Sequence, residues 1–211
     1  MIKLSPSKLN LFLDCPLCFW LEVNKGVKRP AGVFPSLPGG MDLVLKKYYD
    51  RFRGGLPPEL IGRVNGKLLA DEDLIKRFRN WRTFSFEEED ACMYGAMDEC
   101  LVEAGVYIPL DFKTRGFDLK EDSTSFYQNQ LDCYALMLEK NGYKHPGYAY
   151  LVYYIPAEVK EQGEVKFKIE VKKMTVDSAR AYKVFREAVE LLKKEKPNSS
   201  PECEYCKYRK D

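Results

Sequence analysis

The sequence has one histidine, His145, and no run of eighteen or more apolar residues. The first scarcity excludes a histidine-rich metal cluster, and no Ser/His/Asp or Cys/His nucleophile arrangement is found. The second excludes a membrane-spanning helix. The opening Met1-Ile2-Lys3-Leu4-Ser5-Pro6 lacks the apolar stretch and small-residue cleavage site of a secretory signal, so a cytoplasmic protein is expected. An excess of one charge is also missing. Lys and Arg number 34 against 32 Asp and Glu, a net +2 that neither demands nor forbids a nucleic-acid face. There is no glycine-rich phosphate loop, internal repeat or low-complexity tract.

What is present is ordinary for a globular chain: 45% hydrophobic and 31% charged residues over 211 positions. That length fits a single domain. It divides into an N-terminal helical part to about residue 80, an α/β core over about 81–196, and a tail over 197–211. Cysteine is the unusual feature, with seven residues. A reducing compartment disfavours disulfides, so the grouped cysteines point to a metal. Cys15 with Cys18, and Cys203 with Cys206, form two CxxC pairs at opposite ends of the chain. Four thiolates suit tetrahedral Zn²⁺ or an iron–sulfur cluster, here as a staple between the termini. Cys92, Cys100 and Cys133 lie in apolar-patterned segments and read as small core residues.

Ser5-Pro6-Ser7 is a helix start, a hydroxyl cap followed by proline, and Leu9, Phe12 and Leu13 continue at helical spacing. Pro16 predicts an interruption or a kink in that helix near the cysteines. A second helix is expected from about Met41 to Phe52. Strands are expected over 82–90, 93–103 and 106–114, with a hairpin at Gly105. A helix follows over Thr124–Asn141, then strands over 147–155 and 165–173 and a helix over Val176–Lys196. This order predicts an α/β fold with a mixed sheet.

The chemistry-bearing segment is Val106-Tyr107-Ile108-Pro109-Leu110-Asp111-Phe112-Lys113-Thr114. Strand alternation puts Val106, Ile108, Leu110 and Phe112 on one face and Asp111 and Lys113 on the other. Pro109 cannot donate to a ladder, which suggests a bulge or an unpaired stretch. If Asp98, after Gly95-Ala96-Met97, faces Asp111 across the hairpin, two carboxylates converge. Hard cations such as Mg²⁺ favour such ligands. Asp-x-Lys alone arises about once by chance in a chain of this composition and is more often a surface ion pair. Its setting is what sharpens it, because Gln130 and Tyr134 follow, four apart on one helical face.

Gly95-Ala96-Met97-Asp98, Asp111-Phe112-Lys113-Thr114 and Gln130-Leu131-Asp132-Cys133-Tyr134, in that order, resemble the PD-(D/E)XK nucleases. The RecB-like branch is the closest in pattern, including CRISPR-associated RecB-like exonucleases and the AddB nuclease domain. The opening Ser5-Pro6-Ser7-Lys8-Leu9 with Cys15-Pro16 is similar to that branch too. The resemblance implies a restriction-endonuclease-like core, a central mixed sheet flanked by helices, with the termini joined by the four cysteines. It implies Mg²⁺ or Mn²⁺ held by Asp98, Asp111 and the Phe112 carbonyl, with Lys113 as catalytic lysine. Gln130 and Tyr134 would contact the site or DNA. The substrate would be DNA, as single strands or duplex ends, cut by an exonuclease or end-processing enzyme. Its setting would be DNA repair, recombination or CRISPR adaptation, alongside other proteins of those processes and away from membranes. At the cysteines the resemblance implies an iron–sulfur cluster, 4Fe–4S before others. Relatives pair one N-terminal cysteine with three near the C-terminus, whereas here Cys18 would have to supply the fourth ligand, and zinc stays open.

A second departure concerns a metal-binding histidine that many RecB-like nucleases carry on the second helix. Here that helix reads Gly40-Met41-Asp42-Leu43-Val44-Leu45-Lys46, and Asp42 is the nearby residue able to replace an imidazole. A first-turn Asp suits a helix dipole equally well. If nothing replaces the histidine, the alternative is a weakened or inactive DNA-binding or assembly module that keeps the fold. Phe19-Trp20, Tyr48-Tyr49 and Tyr153-Tyr154 could stack on bases, although one member of each pair suits a core. Lys25, Lys28 and Arg29 could meet phosphates or simply be solvated.

Overall fold

The computed structural model describes residues 1–30, 32, 36–120 and 122–207. The end of the cysteine tail, 208–211, therefore lies outside the described residues. Helix α1 (Pro6–Asp14) starts where the sequence predicts, and the Ser5 hydroxyl accepts the Lys8 N–H at 3.4 Å. Of the interruption or kink expected at Pro16, the structure has the interruption. Cys15 is extended at φ −154°, and Pro16 opens a separate helix, α2 (Pro16–Lys25), closed by Gly26 at φ +69°. Helix α3 (Ser36–Tyr49) begins earlier than expected and ends in a 3₁₀ turn over Asp50–Phe52. A short α4 (Glu72–Phe78), capped by Asp71, has no counterpart among the elements read from sequence.

Two sheets form the centre. The smaller has the order β1-β4-β3, with β1 (Ile2–Leu4), β3 (Ser85–Glu88) and β4 (Ala91–Tyr94). The larger has the order β2-β5-β6-β7-β8. Its strands are β2 (Lys67–Leu68), β5 (Glu99–Glu103), β6 (Val106–Thr114), β7 (Tyr148–Val159) and β8 (Val165–Thr175). Strands β6 and β7 are parallel and the other pairs antiparallel, the mixed sheet that the element order implied. Pro109 pairs with Cys100 on β5, while pairing to β7 starts only at Leu110. The proline thus sits where β6 still has a strand on one side only, which is where a missing donor is tolerated.

The single strand expected over 93–103 is two strands in two sheets. The chain leaves β4 after Tyr94 and enters β5 at Glu99. Between them the Gly95 N–H donates to Phe84 O and the Met97 N–H to Phe78 O, so these backbone groups are paired outside either ladder. A Cβ on Gly95 would lie 2.7 Å from Met137 Cε, so a larger residue here would require the Met137 side-chain end to shift.

Both faces of the larger sheet are covered. On one, Ile108, Leu110 and Phe112 pack with Leu45 and Tyr49 of α3 and with Tyr150, Val152 and Tyr154 of β7. On the other lie α5 (Gln128–Lys140), α6 (Ser178–Leu192) and the smaller sheet, joined by Leu131, Ala135, Leu138, Phe86, Phe185 and Val189. An ion pair ties the two helices, with half-exposed Arg180 placing its Nε 2.6 Å from Oδ2 of buried Asp132. A last short turn, α7 (Glu204–Lys207), brings Cys206 back to the N-terminal helices.

Candidate active site and cysteine cluster

The β5–β6 register pairs Glu99 with Leu110, and one step further sets Asp98 opposite Asp111. The Phe112 N–H donates to Asp98 Oδ2 at 3.1 Å, which fixes the first carboxylate against the β6 backbone. Arg79 Nε holds the Asp98 carbonyl at 2.9 Å from behind. Its other nitrogens reach Asp50 at 2.8 Å and Glu99 at 3.0 Å. Glu99 is fully buried and also pairs with Arg53. This Arg53–Glu99–Arg79–Asp50 network buttresses the strand end. Its partners lie far apart in sequence, and no local pattern gave it away.

Asp111 is 1% exposed. Gln130 Nε2 donates to its Oδ1 at 3.0 Å, and Lys113 Nζ stands 2.5 Å from its Oδ2. The Lys113 ammonium is the group that meets Oδ2, a buried oxygen with no other polar partner among the described residues. Burial, with the Asp98 charge alongside, pushes the Asp111 carboxyl up to about 7. Burial works against the Lys113 ammonium, but Asp111 and Asp98 outweigh it and raise its pKa. Lys113 Nζ also donates to Gln130 Oε1 at 3.2 Å and lies 4.3 Å from the Tyr127 ring centroid. Gln130 Nε2 donates to the Tyr134 hydroxyl at 2.6 Å, and that hydroxyl donates to Ala96 O at 2.7 Å. Gln130 and Tyr134 thus share one helical face, as their spacing predicted, and in the structure that face meets the carboxylates.

Asp98, Asp111, Phe112, Lys113, Gln130 and Tyr134 line one cleft of ≈ 450 Å³, and Asp42 lines it too, from α3. Between Asp42 and Asp98 sits a residue the sequence did not single out. Lys46 Nζ is 2.8 Å from Asp42 Oδ2 and 2.9 Å from Asp98 Oδ1. Burial lowers its pKa, and the Asp98 and Asp42 charges more than reverse this. Lys46 is four residues after Asp42, a helical spacing that could have flagged it.

The fit to a divalent cation rests on Asp111 Oδ2. Two adjacent carboxylates, one of them buried with its Oδ2 met only by the Lys113 ammonium, suit a hard ion. Against this geometry stands a family assignment. The chain matches the PD-(D/E)XK nuclease superfamily over residues 67–210 and belongs to that superfamily. Its members are typically phosphodiester-cleaving nucleases that use divalent metals and bind nucleic acid. No curated protein matches the chain.

The four predicted cysteines also converge. Cys15, Cys18, Cys203 and Cys206 offer sulfur atoms all within 4.8 Å of one another, a group able to hold a metal. Two N–H donors reach this cluster, Ser200 N to Cys15 Sγ at 3.5 Å and Arg29 Nη2 to Cys203 Sγ at 3.4 Å. Cys92, Cys100 and Cys133 are buried singly, as expected of core residues. Of the aromatic pairs, Phe19, Tyr49, Tyr153 and Tyr154 are buried and closed to base stacking, while Trp20, which bonds Lys194 O, and Tyr48 are half-buried. Arg29 turns inward to Asp14 and the cysteines and is no free phosphate contact. Among the described residues no helix is long and apolar enough to cross a membrane.

Proposed function

We propose that this chain is a Mg²⁺- or Mn²⁺-dependent nuclease of the RecB-like branch that hydrolyses DNA phosphodiesters. The observation that carries this reading is the pairing of Asp98 with buried Asp111 beside Lys113 in one cleft. Asp98, Asp111 and the Phe112 carbonyl would hold the metal. When bound, such an ion polarises a phosphodiester oxygen and lowers the pKa of water. Lys113 orients the attacking water and faces the charge that develops on the phosphoryl oxygens. Gln130 holds both Lys113 and Asp111, and Tyr134 locks Gln130. Asp42 would take the place of the absent histidine at the metal, with Lys46, which bridges Asp42 and Asp98, giving way to the ion.

A second groove supports a single-stranded or frayed-end substrate. It measures ≈ 440 Å³ and shares Ala96, Gln130 and Tyr134 with the cleft. Its wall carries Trp81, 50% exposed, tilted against Tyr94 at 5.5 Å, with the Arg82 guanidinium 4.8 Å over the indole. An exposed indole beside a catalytic cleft is a platform for an unpaired base. Exonuclease or end-processing work in repair, recombination or CRISPR adaptation follows from the branch resemblance.

The test is incubation of purified protein with end-labelled single-stranded and duplex DNA and Mn²⁺. Cleavage lost in Asp111→Ala and in Lys113→Ala supports the reading, and cleavage unchanged in both refutes the site. One observation favours a second reading, a non-catalytic DNA-binding module: Lys46 neutralises Asp98 where a metal would compete with it. Calorimetric metal titration of wild type and Asp42→Ala separates the two. No divalent ion bound by wild type at any tested concentration would favour the module.

A further inference from the structure

The cysteine cluster shares no residue with the cleft, so its metal content is decided whether or not the protein cleaves DNA. Cys18 Sγ lies 3.5 Å from Cys206 Sγ and 3.7 Å from Cys203 Sγ, and Cys15 Sγ lies 3.8 Å from Cys206 Sγ. The remaining pairs stay within 4.8 Å. A single tetrahedral ion with metal–sulfur bonds of ~2.3 Å sets its sulfurs ~3.8 Å apart. In a multi-iron cluster the thiolates on different irons are pushed outward by the irons and sulfides between them, to roughly 6 Å. The observed set is too tight for the iron–sulfur cluster that the family resemblance implies, and it has the dimensions of one ion.

The surroundings fit the charge of such a site. Four thiolates around a divalent ion leave a formal surplus of negative charge. Arg29 donates to Cys203 Sγ while its guanidinium pairs with Asp14 Oδ2 at 2.5 Å and lies 4.4 Å from the Tyr205 ring centroid. Asp14 precedes Cys15 and Tyr205 precedes Cys206, so one side chain grips both cysteine-bearing ends. The Ser200 N–H adds a neutral donor to Cys15. Donors of this kind orient and stabilise the sulfurs that hold a metal.

We infer that Cys15, Cys18, Cys203 and Cys206 hold a single tetrahedral Zn²⁺, and that Arg29 is the positioning residue that balances its charge. Zinc is favoured because soft thiolates and closed tetrahedral geometry are its structural mode. The ion closes the chain ends and takes no part in redox chemistry.

The full chain, expressed with both zinc and iron supplied and purified without oxygen, should contain one zinc per chain and be colourless. Exchange with Co²⁺ should give the visible absorption of tetrahedral cobalt thiolate. Iron with inorganic sulfide, iron alone, or protein without metal would overturn the assignment. Cys18→Ser should fall well below one zinc per chain, whereas Cys92→Ser should keep it. Full zinc in a folded Cys18→Ser protein, checked by circular dichroism, would overturn the ligand set. Arg29→Gln should lose zinc to a competing chelator at ~10-fold lower chelator concentration, and Arg29→Lys should retain it better. Equal retention in wild type and Arg29→Gln would overturn the role of Arg29.

Discussion

At the scale of single residues, Asp111 carries the electrostatic tension of the site. Its folded pKa of about 7 lies above its ordinary value of 3.8. The folded state therefore binds this proton more tightly than the unfolded chain does. The stability it contributes is full below the unfolded pKa and is lost as pH rises toward 7, on the order of a few kcal/mol. Asp111→Asn should remove that slope while Gln130 keeps a carbonyl acceptor. Urea unfolding from pH 4 to 8 should show the wild type losing stability relative to Asp111→Asn as pH rises. Because the proton competes with a cation, Mg²⁺ affinity of the wild type should rise through pH 7. On the proposed function Lys113 would face the reacting phosphate, so in Lys113→Ala turnover should fall about 10²-fold or more, with the fold intact by circular dichroism. Alternation along β6 made Asp111 and Lys113 legible as neighbours, and helical spacing did the same for Gln130 and Tyr134. The Arg53–Glu99–Arg79 group was not legible, because its members come from elements far apart in the chain, and Lys46 was legible only toward Asp42, four residues before it, not toward Asp98.

At the scale of elements, the crossing between β4 and β5 does most to place Asp98. The apolar pattern runs on through Cys92, Met93, Ala96 and Met97, so sequence alone joins the two strands. The break comes from tertiary pairing of the Gly95 and Met97 backbone N–H groups with Phe84 and Phe78. Gly95→Ala should cost about 1–2 kcal/mol by thermal unfolding and weaken metal binding at Asp98. Met137→Ala costs stability alone, but in the double variant the added methyl gains room. A coupling near zero in the double-mutant cycle would show that Met137 is not the obstacle. The short strands β1 and β2 and the helix α4 escaped the sequence for a related reason. They are short, and pairing to β4, pairing to β5 and burial of Ile75 and Phe78 define them.

At the scale of the whole molecule, the cysteine cluster joins α1 and α2 to the C-terminal turn, as the spacing of two CxxC pairs led one to expect. Removing its ion by chelation should lower the unfolding temperature by ~5 °C or more and loosen both ends together in hydrogen exchange, while the sheet stays protected. The cleft lies apart from this staple, between α3 on one side and α5 on the other, with β5 and β6 supplying the carboxylates. Everything said of function depends on whether that cleft binds a cation and cuts DNA. The most direct measurement is cleavage of end-labelled single-stranded DNA across a Mn²⁺ titration, for wild type and for Asp111→Asn. Saturable, Mn²⁺-dependent cleavage by the wild type, abolished in a folded Asp111→Asn, is the expected result. No cleavage by the wild type at any Mn²⁺ concentration, or equal cleavage by Asp111→Asn, would contradict it.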